Sequence, residues 1–96
     1  MRTSPGRPAW SFISSHGAVL IEVARNPDAT VREIADGATL TERQAHRVLA
    51  DLVDAGYVAR ERVGRRNRYR IDHERPMRAP KLVGHRVGEL LEALAD

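Results

Sequence analysis

Arginine side chains are the chemically most suggestive feature of this 96-residue chain, because they are concentrated in one stretch. Residues 57–86 hold nine arginines and one lysine against three acidic residues, whereas residues 1–56 hold six arginines against seven acids. The formal net charge of the whole chain is only +3. A guanidinium group binds phosphate oxygens through parallel N–H donors, so the clustering indicates a polyanionic partner.

The centre of this stretch is predicted to be a β-hairpin, with strands at 57–63 and 68–72 joined by a turn at 64–67. On the second strand, arginines alternate with Tyr69 and Ile71, so one face is expected to be basic. Basic residues also protect sheet edges from aggregation, but one or two would suffice. We therefore expect contact with the phosphates or the minor groove of a nucleic acid from five residues: Arg62, Arg65, Arg66, Arg68 and Arg70.

A second polar group lies at the start of a helix predicted from residue 41 to Gly56, whose other face is apolar. One α-helix fits the major groove of B-DNA, so these side chains could contact base edges. Arg43 and Arg47 are four residues apart on one face and suit guanine, whereas Gln44 suits adenine. The alternative is an ordinary solvated helix face. The candidate DNA-binding residues of this helix are Thr41, Arg43, Gln44, His46 and Arg47.

Other kinds of chemistry lack the residues they need. The chain has no cysteine, which excludes disulfides, thiolate zinc sites and cysteine nucleophiles. No glycine-rich phosphate loop, nucleophile elbow or carboxylate pair occurs. The histidines lack the spacing for a shared metal ion: His16, His46, His73 and His85. We expect neither an enzyme nor a cofactor or metal site.

The chain length corresponds to one domain, and no apolar stretch is long enough to span a bilayer. No secretory signal opens the sequence, so a cytoplasmic location without a membrane partner is expected.

Residues 1–13 are predicted to be a flexible arm, docked by Trp10, Phe12 and Ile13.

Two shorter helices should position the third. The first is expected to begin after Ser14 or Ser15 and to stop at Asn26-Pro27. The second begins with a capping box at Thr30 and is predicted to stop at Gly37. Only a short turn separates the second helix from the third, so these two capped helices predict a helix-turn-helix unit in a domain spanning residues 14–75.

Residues 76–96 are predicted to form a proline-bounded linker and an amphipathic C-terminal helix, whose apolar stripe includes Val83. The first helix has apolar residues almost all round, so a second subunit could cover one side. We therefore expect a homodimer with an interface centred on Val19, Val23, Val87, Leu90, Leu91 and Leu94.

The run TERQAHRVLADLVDAGYV, from Thr41 to Val58, followed by an arginine-rich hairpin, resembles winged helix-turn-helix transcriptional regulators of the MarR, IclR and ArsR type. The similarity covers roughly residues 16–72. It implies an α+β, mainly α fold of three helices and a hairpin wing, here with an added C-terminal helix. It also implies a third helix in the major groove. MarR proteins carry extra helices at both ends that build a ligand pocket and a dimer, and this chain has room for little beyond one.

The expected function is therefore a sequence-specific, double-stranded DNA-binding transcriptional regulator, with any small-molecule effector unknown. Two alternatives remain open. Winged helices also serve as protein-docking modules within larger assemblies, although the clustered wing arginines argue against this use. Structured RNA is a third possible partner, but its deep, narrow major groove does not admit a helix.

Overall fold

The computed structural model describes residues 10–95. These residues form four α-helices, a two-stranded antiparallel sheet and a short 3-10 turn, which confirms the predicted mainly helical α+β fold with a hairpin and a C-terminal helix. No helix within them is long and apolar enough to cross a membrane. In chain order the elements are α1 (Ser15–Arg25), α2 (Val31–Ala38), α3 (Glu42–Asp54), β1 (Val58–Val63), β2 (Arg66–Ile71), the 3-10 turn (Pro80–Leu82) and α4 (Val87–Leu94).

The first three helices begin where the sequence predicts, because side chains satisfy the free N–H groups of each first turn. The Ser14 hydroxyl accepts a backbone hydrogen bond of 3.1 Å at the start of α1. Thr30 with Glu33, and Thr41 with Gln44, form reciprocal capping boxes at the starts of α2 and α3. Local sequence therefore determines where the helix-turn-helix elements begin.

The end of α2 differs from the prediction. The helix continues through Gly37 to Ala38, and Thr39 takes the left-handed conformation instead, at φ 58°. The Leu40 N–H then donates to the Ala35 carbonyl at 2.8 Å, which satisfies a helix-end acceptor. The extra helix length lets Leu40 pack against the core. This burial offsets the roughly 1–2 kcal/mol that a non-glycine residue costs in the left-handed region.

The hairpin has a tighter turn than predicted. Residues 58–63 pair with residues 66–71, so Gly64 and Arg65 alone form the turn, which is two residues shorter than expected. Gly64 has a φ of 62°, as a two-residue hairpin loop with glycine first requires. The predicted alternation along β2 is confirmed, with Tyr69 buried and the arginines exposed.

One apolar core joins the helices to the hairpin. It includes Val23 of α1, Ile34 of α2, Leu49 of α3 and Tyr69 of β2, each no more than 3% exposed. Burial of one such aliphatic side chain stabilises the fold by about 1.5–3 kcal/mol. The core therefore determines which face of α3 points inward and which face meets solvent.

The helix α4 packs on the same core, against α1. Val87 and Leu91 are 2% and 3% exposed. The linker was predicted between Pro76 and Pro80 and the apolar stripe from Val83, but the helix begins only at Val87, and Val83 is 55% exposed. Residues 76–86 return the chain to this position through an antiparallel bridge between Pro76 and Arg86. The C-terminal helix is thus part of the folded unit in this structure.

Residues 1–9 and 96 lie outside the described part of the chain, so most of the predicted arm does too. Of the three residues expected to dock the arm, only Ile13 is half-buried. Trp10 and Phe12 are 71% and 92% exposed, so the prediction that they dock is wrong for a single chain.

Candidate nucleic-acid interface

The helix α3 presents a polar face to solvent because its apolar face is held in the core. Ala45 and Leu49 are 0% and 3% exposed on the inner side. Arg43, His46 and Arg47, which the sequence predicts to contact bases, are all exposed. Within residues 10–95 none of these three forms an ion pair. Their donors are therefore available to a partner.

The capping box at the start of α3 changes the expected role of Gln44. The Thr41 N–H donates to Gln44 Oε1 at 2.8 Å, and the Gln44 N–H donates to Thr41 Oγ1 at 3.1 Å. A bidentate contact with adenine needs both the oxygen and the nitrogen of the amide. The amide oxygen is already bonded here, so Thr41 and Gln44 act as capping residues in this conformation. The three-residue spacing between them is the sequence signal for that role.

The tip of the wing, residues 58–71, carries unpaired positive charge. All five predicted arginines are exposed. Arg65, in the turn, forms no ion pair with any described residue. The Arg62 Nε donates to the Gly64 carbonyl at 3.2 Å, which folds this side chain over the turn. Further from the tip, Arg70 Nη1 lies 3.4 Å from Glu61 Oε2 on the other strand, so its charge is partly balanced.

Asp28, in the loop between α1 and α2, contacts two further wing arginines. Arg68 Nε lies 3.2 Å from Asp28 Oδ1, and Arg66 Nη2 donates to the Asp28 backbone carbonyl. The Tyr69 N–H donates to the neighbouring Pro27 carbonyl at 3.4 Å, which also joins β2 to this loop. Asp28 was not among the residues singled out from the sequence, because no local pattern pairs positions about 40 residues apart.

Glu33 lies close to the same junction. The Thr30 N–H and hydroxyl donate to Glu33 Oε1 at 2.8 and 3.2 Å. These two hydrogen bonds, assisted by the positive charge of Arg66, hold the pKa of Glu33 below its ordinary value of 4.5. The start of α2 therefore places an ionised carboxylate near the wing, in addition to that of Asp28.

The predicted dimer interface needs correction. Leu90 is half-buried and Leu94 is 38% exposed, so both keep surface for a partner. A residue that is covered within its own chain adds no area to an interface between chains. The apolar periodicity of α1 and α4 instead reflects their packing on each other and on the core. Four predicted interface residues are internal in this way, each no more than 3% exposed: Val19, Val23, Val87 and Leu91.

The helix pair α2–α3, packed with α1 on one core and followed by an arginine-bearing hairpin, defines a winged helix-turn-helix protein. The model of the MarR family matches residues 13–68, which is more than half of the chain. The chain therefore belongs to the MarR family, a family of DNA-binding transcription regulators rather than of enzymes. The match extends from the segment before α1 into β2, and α4 lies outside it.

No curated protein and no solved structure matches the chain. The expected resemblance to MarR regulators is confirmed by the family match. The wider resemblance to regulators of the IclR and ArsR type stays a prediction.

Proposed function

We propose that this MarR-family chain is a sequence-specific regulator of transcription, with α3 in the major groove of duplex DNA and the wing on the phosphates or in the minor groove. The observation that carries the proposal is the exposed face of α3, where Arg43, His46 and Arg47 lie without ion-pair partners among the described residues. Arg43 and Arg47 are one helical turn apart, so the two guanidinium groups suit guanines at neighbouring positions of one groove.

The wing has a different part in this proposal. Arg62 and Arg65 at its tip supply charge for phosphates, and each phosphate neutralised adds about 0.9 to the slope of log affinity against log salt concentration. Phosphates are present in every sequence, so the wing supplies affinity while α3 supplies selectivity.

We further propose that the regulator acts as a homodimer. A two-fold protein binds a two-fold site, so its operator is an inverted repeat with half-sites about 10 base pairs, or a multiple of that, apart. Among the six residues first expected at the interface, Leu90 and Leu94 are the ones with surface left to contribute.

The test begins with selection of bound sites from a random duplex pool. Affinity is then measured for the selected site and for a scrambled duplex over a range of salt concentrations. We expect Arg47→Ala to cost about 1–3 kcal/mol, mainly on the selected site. We expect Arg65→Ala to weaken binding to both duplexes and to reduce the salt slope by about 1. Lys81→Ala, in the exposed 3-10 turn outside both elements, is the charge-matched control.

Equal losses on both duplexes from Arg47→Ala would contradict sequence recognition by α3. Binding that does not weaken as salt rises would contradict the DNA proposal altogether and would favour a protein-docking module. Stronger competition by duplex RNA than by duplex DNA would make RNA the partner.

A further inference from the structure

Trp10 and Phe12 form an exposed aromatic pair ahead of α1. Their ring centroids are 5.1 Å apart in an edge-to-face arrangement. The two side chains are 71% and 92% exposed, and Trp10 Nε1 donates no hydrogen bond to a described residue. An aromatic side chain offers a large apolar surface, to which tryptophan adds one N–H donor. The aromatic pair therefore suits a partner surface that is partly apolar and carries hydrogen-bond acceptors.

The segment that carries the aromatic pair is attached to the start of α1. The Ile13 N–H donates to Ser11 Oγ at 3.1 Å, which closes a local turn between the pair and the helix. The side chain of Ile13 packs over Gly17, where a Cβ would lie only 2.7 Å from Ile13 Cγ2. The Gly17 N–H in turn donates to the Ser14 hydroxyl at 3.1 Å. These contacts hold the aromatic pair against one end of α1.

The aromatic pair lies beside the turn that leads into α3. Trp10 lines a shallow depression together with residues 37–40, which directly precede Thr41, the N-cap of α3. The wing contacts the chain before the other end of α2, through Asp28. The eight residues of α2 span about 12 Å, and the major groove of B-DNA is about 12 Å wide. The aromatic pair and the wing junction are therefore about one groove width apart.

The charges around the aromatic pair suit a polyanionic partner. None of the described residues that line the depression is charged. The carboxylate of Glu22, beside Gly37, is partly balanced by Arg25, whose Nη1 lies 4.0 Å from Glu22 Oε2. In the sequence, Arg2 and Arg7 precede the pair, and no acidic residue occurs before Glu22. The chain leading into α1 is therefore complementary in charge to phosphate groups.

We propose that the aromatic pair contacts the sugar–phosphate backbone of duplex DNA, on the side of the α3 groove that lies away from the wing. Deoxyribose supplies apolar surface for the two rings, and phosphate oxygens supply acceptors for Trp10 Nε1. The backbone has the same chemistry in every sequence, so the pair adds affinity without selectivity. The proposal rests on the DNA-binding function proposed above and adds Trp10 and Phe12 to its contact residues.

Trp10 reports on this contact directly, because it is the only tryptophan of the chain. Quenching of its fluorescence by acrylamide, which is uncharged and not repelled by DNA, is measured on the full chain with and without a saturating duplex. We expect strong quenching in the free chain and weaker quenching in the complex. Equal quenching in the two states would overturn the proposal. Strong protection before DNA is added would also overturn it, because another surface would then cover the aromatic pair.

The double variant Trp10→Ala, Phe12→Ala removes the contact. We expect it to bind the selected and the scrambled duplex about tenfold more weakly, the scale of one covered apolar side chain. The salt slope should stay unchanged, because no charge is lost. Its melting temperature should also stay unchanged, since both side chains are exposed. The matched control is Leu82→Ala, Val83→Ala, which removes two exposed apolar side chains near the other end of α3. Wild-type affinity of the aromatic double variant would overturn the proposal, as would an equal loss in the control.

Hydroxyl-radical footprinting on the selected duplex locates the contact, because these radicals cleave DNA at the deoxyribose. We expect the aromatic double variant to lose protection at sugars on one side of the α3 groove, and Arg65→Ala to lose it at different sugars. Loss at the same sugars in both variants would overturn the placement.

Failure of this contact is distinguishable from failure of the proposed function. If the wild type binds the selected duplex with selectivity that depends on Arg47, but the aromatic double variant binds equally well, the contact alone is wrong. If the wild type binds no duplex, both proposals are refuted.

Discussion

Replacement of Asp28 by asparagine should strengthen the binding of the wing to DNA. The Asp28 carboxylate lies 3.2 Å from Arg68 Nε, and its backbone carbonyl accepts from Arg66. Asparagine removes the negative charge but leaves the backbone carbonyl in place. Arg68 then becomes free to contact a phosphate, so affinity should rise for all duplex sequences and not only for the operator.

The expected gain in DNA affinity follows from the exposure of the Arg68–Asp28 ion pair. The side chains of Arg68 and Asp28 are 51% and 64% exposed, so their ion pair contributes only about 0–1 kcal/mol in water. Its removal should therefore tighten DNA binding by at most about fivefold at low salt. One additional phosphate contact raises the salt slope by about 0.9, so a fourfold rise in salt should weaken the variant about three- to fourfold more than the wild type.

The assay is equilibrium binding to a scrambled duplex over a series of salt concentrations. Asp36→Asn is the control, because it changes the net charge equally from an exposed position on α2 that forms no ion pair with a described residue. Equal effects of the two variants would show that net charge alone is responsible. Weaker binding by Asp28→Asn would refute the reasoning, because it would mean that the carboxylate holds the wing in its binding position.

Two further predictions concern stability. Leu91→Glu should unfold the chain rather than separate a dimer, because Leu91 is only 3% exposed. Loss of such a leucine alone costs about 2–5 kcal/mol of folding free energy, and burial of a carboxylate adds to that cost. The control Leu94→Glu should keep the wild-type melting temperature, and the same result for Leu91→Glu would place α4 outside the core. Glu33 has a lowered pKa, so its contribution to stability is complete above pH 4.5 and is lost as the pH falls through its value in the folded chain. Denaturation over a pH series should therefore show a smaller loss of stability below pH 4.5 in Glu33→Gln than in the wild type, and identical profiles would contradict the capping role of Glu33.

Much of the fold was predictable because its signals are local. The capping boxes at Thr30 and Thr41 involve residues three positions apart, so their hydrogen bonds form in the helix itself. Gly56 follows the end of α3, as expected, and takes the left-handed conformation with a φ of 84°. Glycine adopts this conformation readily because it has no Cβ. The alternation of arginines with Tyr69 likewise determined which face of β2 is basic.

The candidate DNA-binding site was only partly predictable, because the type of a residue and its expected exposure do not determine which hydrogen bonds its side chain makes. The position of Arg47 on the outer face of α3 follows from helical periodicity, but the use of Gln44 for capping competes with its use for base contact. Both roles suit the same residue type, and hydrogen-bond geometry decides between them. Asp28 illustrates the stronger limit, since its contacts depend on how the hairpin folds back on the loop after α1.

The sequence by itself determined the elements, their order and the concentration of positive charge in the wing. The tertiary structure alone decided that α4 covers the core of its own chain, that Asp28 pairs with Arg68, and that Trp10 and Phe12 stay exposed. The physical reason is that an apolar stripe specifies only that it must be covered, since the hydrophobic effect has no direction. Which surface covers it depends on the packing of residues that are distant in sequence.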